Sequence, residues 1–190
     1  AGGHLSAMLA TLGEGPHGEG ARISAAVSWA GPMDLHPAEF GPDSQIYLDA
    51  FLNCIGRPCD EATVVAASPI SHVDPSDAPI LLAQGEEDQL VPPEQGLRMA
   101  DALQAGGVDH ELLLIPNAGH DERVVAPVVQ PSFRFLRREL GDVEPGTPGS
   151  VGVGGDSGGG FLAPVIVIGV AALAVGALVL AGRNRRRVRY

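Results

Sequence analysis

Apolar residues recur along the first 140 positions in two rhythms. Leu5, Met8, Leu9 and Leu12 stand at helical spacing over residues 2–12, and Gly13-Glu14-Gly15-Pro16 stops the run, so a helix opens the chain. Three short, largely apolar stretches at 23–29, 80–84 and 112–115 read as buried strands. Between the second and third, Pro92-Pro93-Glu94 starts a helix and Gly106-Gly107 ends it, with Leu97, Ala100, Ala102 and Leu103 as its inner face. A last helix is expected over 121–140, with Phe133, Leu136 and Leu140 inward and Pro127 and Pro131 bending or delaying its start. Strands alternating with helices predict an open, doubly wound parallel sheet, an α/β fold. Three strands make a small sheet, and the rest of it is expected upstream of Ala1.

Beyond residue 140 both rhythms stop. Residues 141–160 are dominated by Gly, Pro and Ser and read as a flexible linker. Residues 161–181 then run without a charge, long enough for a helix to cross a bilayer, and this span with Gly182 is expected to be a transmembrane helix. Five arginines within residues 183–190 form a basic tail that belongs in the cytoplasm by the positive-inside rule. The body is thereby expected outside the membrane, held by a single-pass C-terminal anchor. A sortase-processed tail would share the last two parts, but the Leu-Pro-x-Thr-Gly pentad is missing.

Charge narrows the partners. Residues 1–160 carry seven basic residues against all 23 acidic ones, a net −16, which makes that body a poor binder of nucleic acid. The chain has no lysine, so chemistry that needs a lysine nucleophile has no residue to use. The spacing of the histidines suggests no metal site. His17, His36, His72 and His110 read as loop or strand-edge residues and His4 as a helix residue. Cys54 and Cys59 flank Ile55-Gly56-Arg57-Pro58 and could be free thiols, half a metal site or a short disulfide. The oxidising compartment implied by the membrane argument favours the disulfide.

Five stretches carry a resemblance. They are Ala1-Gly2-Gly3-His4-Leu5, Ala67-Ser68-Pro69-Ile70, Asp77-Ala78-Pro79 leading into the strand at Ile80, Gly85-Glu86-Glu87-Asp88-Gln89-Leu90-Val91-Pro92, and Asn117-Ala118-Gly119-His120. Together they resemble the C-terminal part of an α/β-hydrolase of the esterase/lipase group, over residues 1–140. The nearest branch is the acetyl/feruloyl-esterase-like (BD-FAE-like) one, close also to prolyl-oligopeptidase-type peptidases.

In that family the nucleophile stands in a Gly-x-Ser-x-Gly elbow between a strand and a helix. Ala1-Gly2-Gly3-His4-Leu5 matches the family's residues after the serine, so the resemblance implies a serine directly ahead of Ala1, with the Ala1 N–H as an oxyanion-hole donor. It implies Asp88 as the triad acid and His120 as the general base, with Asp34 as a reserve acid, while Glu86 and Glu87 on the same loop as Asp88 read as solvated turn charges. A serine hydroxyl needs an imidazole to take its proton, and the carboxylate fixes the imidazole tautomer. The expected activity is that of a serine hydrolase acting on small-molecule esters or peptides without a cofactor. The chain as it stands is expected to be inert. The rival readings are a prolyl-oligopeptidase-type peptidase and a non-catalytic binding or adhesion module of the same fold.

Overall fold

A computed structural model describes residues 1–13, 22–141 and 167–168. Its centre is a four-stranded parallel sheet in the order β3-β2-β1-β4, built from β1 (Ala26–Trp29), β2 (Ile80–Gly85), β3 (His110–Ile115) and β4 (Val167–Ile168). Helix α1 (Gly2–Thr11) precedes β1. Helices α2 (Pro42–Phe51) and α3 (Glu61–Ala67) fill the long connection from β1 to β2. Helix α4 (Pro93–Gly106) joins β2 to β3, and α5 (Val125–Leu140) follows β3. All six residues of β2 are buried, as its place between β1 and β3 requires.

Alternation along the strands divides the core into two layers. Ile80 and Leu82 turn to one face and pack with Ala7 and Ala10 of α1 and Met99 and Leu103 of α4. Leu81 and Ala83 turn to the other and pack with Val128, Phe135 and Leu136 of α5. A third cluster, Leu35, Leu48, Leu52, Cys54 and Val64, lies under α2 and α3. Cys54 and Cys59 are joined by a disulfide. Asp49 completes the one grouping of metal-ligating atoms among the described residues, and with its two sulfurs bonded to each other only a carboxylate is left to offer.

The expected elements need four corrections. The transmembrane helix at 161–182 is contradicted: no helix among the described residues is long and apolar enough to cross a membrane, and Val167 and Ile168 within that span form a strand beside Ala26 and Val27. The rest of that span, residues 142–160 of the linker, the basic tail and His17 lie outside the described residues. Second, α1 turns Leu5, Leu9 and Leu12 outward and buries Gly3, His4, Ser6, Ala7, Ala10 and Thr11. Small residues win that face because the helix lies close against β1. Third, Leu97 is exposed while Met99 is buried on α4. Fourth, α5 begins at Val125 after a 3₁₀ turn at Glu122–Val124, and Phe135 rather than Phe133 faces inward. Val128, Ser132 and Phe135 define that face at helical spacing, and Phe133 falls outside it.

A close backbone contact joins α1 to the end of β1. A Cβ on Gly3 would stand 2.6 Å from the Trp29 carbonyl oxygen, and one on Gly31 would stand 2.6 Å from the Gly3 carbonyl carbon and 2.7 Å from the His4 nitrogen. His4 continues the seam, with its Nε2 2.7 Å from the Ala67 carbonyl oxygen at the end of α3 and its ring edge-on to Phe51 at 5.3 Å. Burial pulls the His4 imidazole below its ordinary value of 6.5, and the Ala67 contact works the other way.

Two outcomes are expected. Gly31→Ala forces backbone apart at this contact and destabilises the fold by about 1–3 kcal/mol, read as a lower urea midpoint. Because folded His4 takes up a proton less readily than unfolded His4, stability declines as pH falls below 6.5. Urea midpoints of the wild-type chain should fall between pH 7 and pH 5, and those of His4→Gln should fall by less.

Candidate active site

The C-terminal ends of β1, β2 and β3 lie side by side, and each gives onto a loop with a residue singled out above. In open parallel sheets ligand sites gather at this edge. Asp88 stands three residues after β2 and its side chain is fully buried; His120 follows β3 and its side chain is 20% exposed. His120 Nδ1 lies 2.8 Å from Asp88 Oδ2. An ionised carboxylate only accepts, so Nδ1 carries a proton, and in the neutral ring Nε2 keeps its lone pair.

Four donors surround the Asp88 carboxylate. Oδ1 accepts from the backbone N–H groups of Leu90 and Val91, each at 2.9 Å. Oδ2 accepts from His120 and, at 3.2 Å, from Gln84 Nε2. A buried carboxylate without such partners is strongly unfavourable, and hydrogen bonds to a charged group stabilise by about 1.5–3 kcal/mol each.

The two loops touch because Gly85 has no side chain. A Cβ there would meet the Ala118 carbonyl oxygen at 2.3 Å and the Gly119 carbonyl oxygen at 2.9 Å. Glu87 N–H donates to the Ala118 carbonyl at 2.9 Å, which joins the acid loop to the histidine loop. Asn117 takes the turn before His120 with φ +57°, a conformation asparagine tolerates better than most residues. Beyond His120, Arg123 binds Asp121 and the Asn117 carbonyl. Its bonds to Asp121 hold that carboxyl down at about 2.

Ala1 caps α1, whose first turn abuts the end of β1 through Gly3 and Gly31, so the positive end of that helix lies at the same sheet edge. Asp34 stands apart from the pair: it is 3.5 Å from Arg98 Nη1, and its Oδ1 accepts from the His36 N–H at 3.0 Å. Glu86 and Glu87 are exposed. His36 caps a 3₁₀ turn, His72 sits 3.0 Å from the Ala66 carbonyl, and His110 sits 2.9 Å from the Val108 carbonyl.

Gln95, Ser68 and Ser44 are among the buried polar residues to which the sequence assigned no role. Gln95, on the first turn of α4, accepts from Met33 N–H and Asp34 N–H at 2.8 Å and donates to the Asp34 carbonyl at 3.0 Å. Ser68 accepts from Leu35 N–H at 2.8 Å and donates to the Val64 carbonyl. Ser44 of α2 bonds to the carbonyls of Gln89 and Leu90 in the acid loop. An open cleft of about 410 Å³ lies along this connection, with Asp34, His36, Glu39 and Glu61 on its walls.

Known proteins resemble this chain in sequence and in fold. The sequence model of the BD-FAE family matches residues 1–103. The acylamino-acid-releasing enzyme of Mus musculus is 43% identical over 53 residues, which is 28% of this chain and 7% of that enzyme. Dipeptidyl-peptidase 5 of Porphyromonas endodontalis is 42% identical over 55 residues, 29% of this chain and 8% of that enzyme. Among solved structures, a truncated carbohydrate esterase from gut microbiota superposes with a TM-score of 0.58 at 23% identity, covering 72% of this chain and 56% of that one. A puromycin-hydrolysing peptidase of Mycobacterium tuberculosis gives a TM-score of 0.55 at 28% identity, covering 65% of this chain and 19% of that one. The chain thus spans less than two thirds of each of these relatives. With the α/β-hydrolase fold on both counts and more than half of its length matched, the chain belongs to the BD-FAE family.

Proposed function

We propose that this chain carries the acid and base of a serine hydrolase that cleaves carboxylic esters, with Asp88 and His120 completed by a serine directly ahead of Ala1. The observation that carries the reading is the 2.8 Å contact from His120 Nδ1 to the fully buried Asp88, at the sheet edge where α1 begins. His120 Nε2 takes the proton of the serine hydroxyl as the oxygen attacks the acyl carbon. It then returns the proton to the departing alkoxide. Asp88 holds the imidazole in the required tautomer and stabilises the cation that forms. The Ala1 N–H, at the positive end of α1, donates to the oxyanion of the tetrahedral intermediate. Water, activated by the same imidazole, releases the acid from the acyl-enzyme.

A peptidase reading has its own support, since acylamino-acid-releasing enzyme and dipeptidyl-peptidase 5 are among the relatives. Both readings use the same residues and differ in the leaving group, an alcohol or an amine. Comparing turnover of acetyl esters with that of acyl-peptide amides separates them.

The decisive measurement is labelling of the protein, as its gene encodes it, with a fluorophosphonate probe. Covalent labelling is expected, and a folded protein that takes no label ends the hydrolase reading. His120→Ala should lower kcat/KM for an aryl acetate by at least about a thousandfold, and a loss under about tenfold removes His120 from the role of base. In Gly85→Ala the added methyl pushes the Ala118–Gly119 backbone away, so kcat should drop by about tenfold or more with a smaller change in KM.

A further inference from the structure

We propose that Gln84 is a positioning residue for His120, acting through Asp88. A glutamine is the odd member of a strand that otherwise reads Ile80-Leu81-Leu82-Ala83, and at 2% exposure it is buried as deeply as its neighbours. It shares the strand face of Ile80 and Leu82 and lies under the first turn of α4. Gly96 faces it there, and a Cβ at that position would stand at ordinary contact distance, 3.4 Å, from the Gln84 Cβ. Gln84 Nε2 donates to Asp88 Oδ2 at 3.2 Å and to the Val91 carbonyl at 2.6 Å. Both partners are acceptors, so the amide has one orientation; reversed, its oxygen would face two oxygens. Val91 N–H returns to Asp88 Oδ1 at 2.9 Å. The three side-chain and backbone groups close a ring around the carboxylate.

The oxygen held by Gln84 is the one that faces His120. Gln84 therefore orients the carboxylate toward the imidazole and draws charge from the atom that supports it. Removing the amide leaves Oδ2 more basic, which favours the imidazolium and raises the pH at which His120 titrates. The other charged groups on the elements that converge there are Glu86 and Glu87 on the acid loop, Asp121, Glu122 and Arg123 beyond His120, Glu94 on the first turn of α4, and the Ala1 amine at the start of α1, while Asp34 is paired with Arg98. All remain in place when Gln84 is changed, so the shift isolates the amide.

The catalytic meaning of this inference rests on the hydrolase reading, but its test needs no turnover. The His120 ring is titrated by proton–nitrogen correlation NMR in the 190-residue chain, in wild type and in Gln84→Met. The midpoint should rise by about half a pH unit or more. In an Asp88→Asn background the same change should move it by less than about 0.2 unit, since the coupling runs through the carboxylate. An unmoved midpoint in Gln84→Met, or an equal movement in the Asp88→Asn background, overturns the proposal. A second readout uses wild type alone: the Gln84 side-chain amide protons should shift with the His120 midpoint, and flat resonances through that range overturn it too. Absent fluorophosphonate labelling with these titrations intact would remove the hydrolase reading and leave the coupling standing. Labelled protein with flat titrations would do the reverse.

Discussion

A carboxylate removed from water sets the terms for this end of the molecule. The Asp88 side chain is fully buried, and a shell of donors drawn from three directions makes that tolerable: two backbone N–H groups of its own loop, an amide from β2 and an imidazole from the loop after β3. Each donor is held by the fold rather than by the loop alone. The sheet brings β2 and β3 together, α4 covers Gln84, and Ser44 ties α2 to the carbonyls of the same turn. The geometry of one ionised group thus depends on most of the surrounding elements, and loosening any of them disturbs the imidazole it supports.

Close backbone approach is the second constraint. At Gly85 and at the Gly3–Gly31 contact, a single methyl would overlap backbone atoms of the neighbouring segment. These contacts lie at the C-terminal edge of the sheet, where the acid loop, the histidine loop and the start of α1 converge. The parallel strands supply the frame, and the glycines let the loops draw near enough for hydrogen bonds between side chains 32 positions apart.

The alternation of strands and helices was legible because buried parallel strands are short apolar runs and their boundaries carry turn residues. The positions of Asp88 and His120 were legible through motifs that follow strands at fixed offsets. The features that escaped have physical reasons. Helix α1 shows a leucine stripe, yet the face that packs is lined by Gly3, Ala7 and Ala10, since proximity to β1 favours small side chains over large ones. On α5 the inner face is set by Val128, Ser132 and Phe135, and Phe133 falls outside it although its apolarity suits a core position. Gln84 and Gln95 look like ordinary polar residues, and only the backbone groups they meet reveal their purpose. Hydropathy alone read residues 161–182 as a spanning helix, whereas Val167 and Ile168 lie beside β1 as a parallel strand, and apolar composition does not distinguish those two ways of satisfying a backbone.

The reversed face of α1 carries an implication for how this sequence can drift. Its bulky leucines at 5, 9 and 12 look outward, so exchange for polar residues there should cost the fold little and favour solubility. Its alanines at 7 and 10, enclosed against the sheet, have no such latitude, because any enlargement displaces the helix from β1. Along this helix, freedom to vary rises with side-chain bulk, the opposite of what a hydrophobic core would ordinarily lead one to expect.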